Sequence, residues 1–212
     1  MMMIRPLILA LCLSASPALA TQEYILPTLF DVAGVAADDT LNIRAEPSAG
    51  ADIIGRIAPD ATGVEVVETR GNWGRVNMAE TSGWVAMRYL SYRTDVWMPG
   101  RLPDGLVCTG TEPFWSMRAV DGRIIWDTPG GGEVQVSGLH ITDSAVPRDP
   151  RRGLLAEDDH NLIAAAITPK ACSDGMSDRH YGLETIVILN GRLVGDKTQM
   201  MTGCCLIARP LR

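Results

Sequence analysis

Turn-forming residues break the stretch from 41 to 90 into runs too short for helices. Leu41-Asn42-Ile43-Arg44 alternates apolar and polar residues, and Pro47, Ser48 and Gly50 form a loop after it. Ile53-Ile54-Gly55-Arg56-Ile57 follows, then a turn at Pro59-Asp60-Ala61, then Gly63-Val64-Glu65-Val66-Val67-Glu68. Gly71-Asn72 precedes Trp73-Gly74-Arg75-Val76, and Ser82-Gly83 precedes Trp84-Val85-Ala86. Short strands with a turn signal between each predict a small all-β barrel. The whole chain of 212 residues carries 21 glycines and 13 prolines without a three-residue period, which suits strands and excludes collagen. With 46% hydrophobic and 21% charged residues, it has the composition of a folded chain rather than a disordered one.

The first twenty residues read as an address. Arg5 is the only charged side chain before Glu23, the apolar run Leu7–Leu13 is short, and Ala18-Leu19-Ala20 follows Pro17. A basic start, a brief apolar stretch and an A-x-A triplet predict a secretory signal peptide cleaved after Ala20. The run is too short for a membrane anchor, which needs about 18 apolar residues. Leu11 ahead of Cys12 argues against a lipoprotein signal. The expectation is a protein exported across the inner membrane to the periplasm, with no stable membrane span after cleavage. A net charge of -6 argues against nucleic acid as a partner, since phosphate binding needs a basic surface.

Export makes the cysteines interpretable. Beyond Cys12 there are Cys108, Cys172, Cys204 and Cys205, an even number that predicts disulfides in an oxidising compartment. Four cysteines allow three connectivities. A bond between the neighbours Cys204 and Cys205 requires a distorted peptide, so each is expected to pair with one of Cys108 and Cys172. Zinc spacing such as C-x2-C is missing, and no metal or cofactor is expected. Copper held by Met176, His180, Met200, Met201, Cys204 and Cys205 is an alternative that requires free thiols.

All four of these cysteines follow residue 107, and the turn-rich Met98–Gly105 reads as a linker. The expected organisation is a signal peptide (1–20), a first β-module (21–95), a linker (96–105) and a cysteine-containing β-domain (106–212). In the second half, Phe114–Val120, Asp121-Gly122 and Arg123–Trp126 have the signature of a tight hairpin. Glu133–Ser137 alternates, Leu162–Ile167 is a strand that Pro169 ends, and Thr185–Leu189 turns at Asn190-Gly191 into Arg192–Gly195. Gly203–Ile207 reads as the last strand, and the polar segment Val146–Asp159 as an exposed loop. Seven or eight strands suffice for a second, disulfide-stapled barrel-like domain.

The pieces Leu41–Arg44, Gly55–Ile57, Gly63–Val66, Asn72–Val76, Gly83–Val85 and Tyr89-Leu90 resemble, in order and spacing, the bacterial Src-homology-three-like domain over about residues 31–92. That resemblance implies a barrel of five or six strands with Leu41, Ile43, Val64, Val66, Val76 and Val85 inside, and Asn42 and Arg44 outside. It also implies a module that holds an exported protein on cell-wall peptide or on another envelope protein. Arg44, Trp73, Trp84 and Tyr89 are the candidate peptide-binding residues: an aromatic platform with a guanidinium for a carboxylate. A tryptophan in so small a barrel also reads as core, Trp84 more so than Trp73, which follows the Gly71-Asn72 turn.

The second half resembles an uncharacterised family of bacterial envelope proteins through Gly110-Thr111-Glu112-Pro113-Phe114-Trp115, Cys172-Ser173-Asp174-Gly175-Met176-Ser177 and Gly203-Cys204. This likeness implies no activity. Its candidate cluster is Glu112, Trp115, Asp174, Asp178, Arg179 and His180. A Glu and a His converging in a cleft could serve as acid and base, whereas Ser-Asp-Gly and Met-Ser-Asp are ordinary turn chemistry. No catalytic residue is assigned. The reading is an exported, non-enzymatic envelope protein that binds cell-wall peptide or an envelope protein. The alternatives are a wall-acting enzyme, which needs Glu112 and His180 together, and a copper or redox protein, which needs Cys204 and Cys205 as thiols.

Overall fold

The computed structural model describes residues 24–211. The expected leader, 1–20, lies outside the described residues. The fold is all β, as the turn pattern predicts: a small barrel, then a curled sheet carrying two disulfides.

The barrel is built from two sheets. Strands β1 (Thr28–Val32), β4 (Val64–Val66) and β8 (Leu90–Tyr92) pair in the order β4-β1-β8. Strands β2 (Leu41–Arg44), β3 (Ile53–Ile57), β5 (Glu68–Arg70), β6 (Trp73–Met78) and β7 (Thr81–Ala86) pair in the order β3-β2-β7-β6-β5. Alternation along each strand decides what enters the barrel. Leu41, Ile43, Val64, Val66, Val76 and Val85 form its core with Phe30, Val32 and Ile57, while Asn42 and Arg44 face outward. β1 lies ahead of the most recognisable motifs, yet it brings Phe30 into the core and joins β4 to β8.

The second half is one nine-stranded antiparallel sheet. In chain order its strands are β9 (Val107–Thr111), β10 (Phe114–Val120), β11 (Arg123–Thr128), β12 (Gly132–Val136) and β13 (His140–Asp143). They continue as β14 (Arg152–Glu157), β15 (Asn161–Cys172), β16 (Tyr181–Gly191) and β17 (Lys197–Leu206), and the sheet order is β12-β11-β10-β9-β17-β16-β15-β14-β13. The edge strands β12 and β13 are joined by only Ser137, Gly138 and Leu139. Four virtual bonds reach about 14 Å, so the sheet must curl until its edges nearly meet. Bonds from Leu139 N–H to Gly122 O (3.1 Å) and from Glu157 N–H to Ser137 O (3.1 Å) tie that crossing down.

The concave face holds the core. Ile163, Ile167, Leu183, Val187 and Leu189 pack there with Met117 and Ile124, and Trp115 stacks on Trp126 at 4.7 Å and 14°. Two glycines are required by this stack. A Cβ on Gly110 would lie 2.1 Å from the Trp115 indole nitrogen, and one on Gly203 would lie 2.7 Å from the same ring.

The disulfides are Cys108–Cys205 and Cys172–Cys204, so the two neighbours do each take one distant partner. The pleat explains the pairing. Successive residues of a strand point to opposite faces, so Cys205 meets Cys108 within the core while Cys204 reaches Cys172 on the convex side.

Three local readings change. Val146–Asp159 is not simply a loop, because β14 lies within it and buries Arg152. The Arg152 guanidinium donates to the carbonyls of Met98, Arg101, Asp149 and Arg151 and pairs with Asp143 at 3.0 Å, which makes an inward-facing arginine tolerable. Pro169 does not end β15; the strand continues to Cys172 through a register shift after it, as a bulge permits. Asn190-Gly191 is not the hairpin turn, since β16 runs through both and a 3-10 turn at Arg192–Val194 makes the reversal.

The two halves are closely joined. Segment 96–105 contributes Val96 and Leu102 to the second core, and Trp97 Nε1 donates to Pro27 O at 2.8 Å. Leu29 of β1 packs on that core as well. Beside it in register is Glu65 of β4, only 7% exposed, whose Oε2 accepts the N–H groups of Ile207 and Ala208 at 3.2 Å each. Its Oε1 is buried with no hydrogen-bond partner. Burial pushes the Glu65 carboxyl up from 4.5 to about 8, against the lowering effect of those two backbone donors. The small barrel sheet therefore turns its outer face to the second half.

Candidate functional site

The outer face of the five-stranded sheet is built by cross-strand pairing. Glu68 of β5 opposes Arg75 of β6, Arg75 opposes Trp84 of β7, and Trp84 opposes Arg44 of β2. Directly opposed residues share a face, so these four form one row. The next row holds Arg70 and Trp73, and Arg56 joins through its partner Asn42. Three of the four sequence candidates thus share a surface: Arg44, Trp73 and Trp84.

Their roles differ from a simple platform. Trp84 is only 1% exposed, so its ring offers no free face to a ligand. Instead the Arg70 and Arg75 guanidinium carbons lie 4.9 and 4.7 Å from its ring centroid. Cation–π attraction fixes both planar groups over an apolar base. Arg75 also pairs with Glu68 at 3.2 Å, and Arg44 Nη1 donates to Ala51 O at 2.6 Å. Among the described residues, Arg44, Arg56 and Arg70 make no ion pair. Trp73 is half-buried and remains open to solvent. Tyr89 lies elsewhere, in the 3-10 turn Met87–Tyr89, packed on the barrel core with Arg88 over its ring at 4.7 Å. Arg56, Arg70 and Arg75 each sit beside a glycine, and no local signal in the sequence singles them out; only the strand register places them on this face.

The C-terminal cluster separates into three places. Asp178, Arg179 and His180 dock on the tip of the β6–β7 hairpin. The Asn77 side chain reads the backbone of His180 on both sides, accepting its N–H at 2.9 Å and donating to its C=O at 2.7 Å. Ser82 Oγ meets His180 Nδ1 at 3.3 Å, Asp178 N–H donates to Glu80 O at 2.9 Å, and Arg179 pairs with Glu80 at 2.9 Å and donates to Ala79 O. Leu211 completes the joint, bonding the backbones of Asn77 and Ala79 at 3.0 and 2.9 Å. His180 is held at this joint, so it does not converge with Glu112. Trp115 is core, as described above.

Glu112 and Asp174 line a separate cleft of about 930 Å³ on the convex face. Its floor is the Cys172–Cys204 disulfide with Thr109 and Thr202, and its walls include Phe114, Lys170, Met176 and Glu184. Asp174 organises the loop that forms one wall. Its carboxylate accepts the N–H of Met176 (3.0 Å) and Ser177 (2.9 Å), the Ser177 hydroxyl (2.8 Å) and the Tyr181 hydroxyl (2.8 Å). Burial raises the Asp174 carboxyl, but these four donors outweigh it and hold it at about 2. This is turn chemistry, with Asp174 fully occupied by its own loop. Cys204 and Cys205 are both in disulfides, so neither supplies a thiolate.

Residues 39–91 match the family model described as the bacterial SH3 domain. Neither the curated proteins nor the solved structures contain a match to the chain. No helix among the described residues is long and apolar enough to cross a membrane. Residues 39–91, which hold β2 to β7 and the start of β8, are thus the part of the chain similar to a bacterial SH3 domain.

Proposed function

We propose that this is an exported envelope protein that binds rather than catalyses, and that the outer face of the five-stranded barrel sheet takes a carboxylate-bearing peptide. The observation that carries this reading is the arginine–tryptophan face: among the described residues Arg44, Arg56 and Arg70 stand without carboxylate partners, in a chain of net charge -6. Guanidinium groups pair with carboxylates in a planar, two-bond geometry, and Trp84 holds Arg70 and Arg75 in place before a ligand arrives. Less side-chain freedom is then lost on binding. A bacterial SH3 domain fits a binding or cell-wall-associated module. Cell-wall stem peptides and acidic segments of envelope proteins share the required carboxylates. Two disulfides and the sequence of residues 1–20 support export to an oxidising compartment.

The test is a tryptophan-fluorescence titration with a Glu-Gly repeat peptide and its Gln-Gly counterpart. The acidic peptide is expected to bind at least about tenfold more tightly at low salt and to weaken as ionic strength shortens the Debye length. Arg70→Glu should abolish the preference. Equal binding of the two peptides would sink the proposal. Export is tested by periplasmic fractionation with N-terminal sequencing, where the expected first residue is Thr21.

A further inference from the structure

We infer that the convex cleft beside the Cys172–Cys204 disulfide is a binding site for a neutral oligosaccharide. It is separate from the arginine face and stands or falls without it. The cleft, about 930 Å³, falls within the range of small-ligand sites. Two large apolar side chains stand in solvent at its rim: Phe114 is 52% exposed and Met176 is 70% exposed. An isolated exposed apolar residue needs no explanation; here two of them border one cleft whose interior is otherwise polar. Thr109 and Thr202 offer hydroxyls from the sheet floor, Glu112 offers an exposed carboxylate, and Lys170 pairs with Glu184 at the wall.

This set matches one ligand chemistry. A sugar ring presents hydroxyls that both donate and accept, and a C–H face that lies against an aromatic ring. Carboxylates and threonine hydroxyls serve the hydroxyls, and Phe114 serves the C–H face. The charges around the cleft set the ligand's charge. Glu112, Asp174 and Glu184 face it with Lys170 as the one cation among its lining residues, so an anionic ligand is repelled and a neutral one is not. The site is rigid where it needs to be. The disulfide anchors the floor, Asp174 fixes the loop through four hydrogen bonds, and the Asp174 carbonyl accepts the Thr111 hydroxyl at 2.9 Å, tying loop to sheet.

The experiment is calorimetric and NMR titration of the full mature chain with a β-1,4-linked N-acetylglucosamine trimer, alongside a galacturonic acid trimer of similar size. The neutral trimer is expected to bind and to shift the amides of Thr109, Thr202 and Met176. The acidic trimer is expected to bind at least about tenfold more weakly. Phe114→Ala and Glu112→Gln each remove one exposed contact and are expected to weaken the neutral trimer by about tenfold. Arg70→Glu should leave it unchanged. Cosedimentation with insoluble chitin, lost in Phe114→Ala, assigns the sugar to a polymer; binding of the trimer without cosedimentation assigns it to free oligosaccharide. No binding of the neutral trimer, binding unaffected by both variants, or preference for the acidic trimer would overturn the inference. An unchanged amide spectrum outside the cleft shows that each variant is folded.

Discussion

The two halves solve the same problem, enclosing a core with β-strands, by different means. The barrel closes two small sheets around Phe30, Ile43 and Val85 with no covalent link. The second half curls a single wide sheet, whose edges would otherwise be free to pair with other chains, and fastens its middle strands with two disulfides. Closure by packing leaves the barrel's surface free for charge, and arginines occupy it. Closure by curling places a disulfide and a loop on the convex surface, and a cleft forms over the one and beside the other. The candidate surfaces follow from how each half is closed.

The largest expected effect separates the halves. Replacing both Cys108 and Cys205 with alanine removes a link across a sequence separation of 97 residues and is expected to cost about 4–5 kcal/mol by loop-closure entropy. Calorimetry should then show a transition from the second half falling away from one belonging to the barrel. A single transition that drops as a whole would mean that the two halves unfold as one unit.

Glu65 probes the seam between them. Its carboxyl sits at about 8 in the folded chain, against an ordinary value of 4.5. The folded state therefore holds the proton more tightly than the unfolded state. Stability falls as pH rises from 4.5 towards 8 and levels off above that, by a few kcal/mol at most. Urea midpoints measured near the two ends of this window should differ in the wild type and converge in Glu65→Gln. A wild type as stable at the upper end as at the lower would show that the seam opens to water.

Asn77→Ala is smaller and sharper. It strips the partners from the His180 N–H and C=O at a part-buried joint, at an expected cost of about 1–3 kcal/mol. Hydrogen exchange should rise at His180 while the Trp115–Trp126 core stays protected. Exchange that rises throughout the second half would make the joint a condition of that half's folding.

Much of the barrel was readable because its strands obey a period of two. Leu41 and Ile43 against Asn42 and Arg44 state inside and outside directly. Pro169 and Asn190-Gly191 misled for the opposite reason: a local stop signal was overridden by continuous pairing among the long neighbouring strands β15, β16 and β17. β14 was hidden because Arg152 makes its segment look soluble, and three of its five hydrogen-bond and ion-pair partners, Met98, Arg101 and Asp143, lie outside that segment. The site was legible as residue types and not as geometry. Nothing local in Asp178-Arg179-His180 says that it meets Glu80 and Asn77 across some hundred residues, and Arg44 could be joined to Trp84 and Arg75 only through the sheet register.

The adjacent cysteines have one more consequence. Sliding β17 by a single residue would carry Cys204 to the concave side and Cys205 to the convex side, so that neither could find its present partner. The Cys204-Cys205 pair is thus a two-sided key: both bonds close only when the final strand is threaded in one alignment. Oxidation then acts as an inspector of assembly, sealing chains that are correctly threaded and leaving misaligned ones with reactive thiols, open to reshuffling.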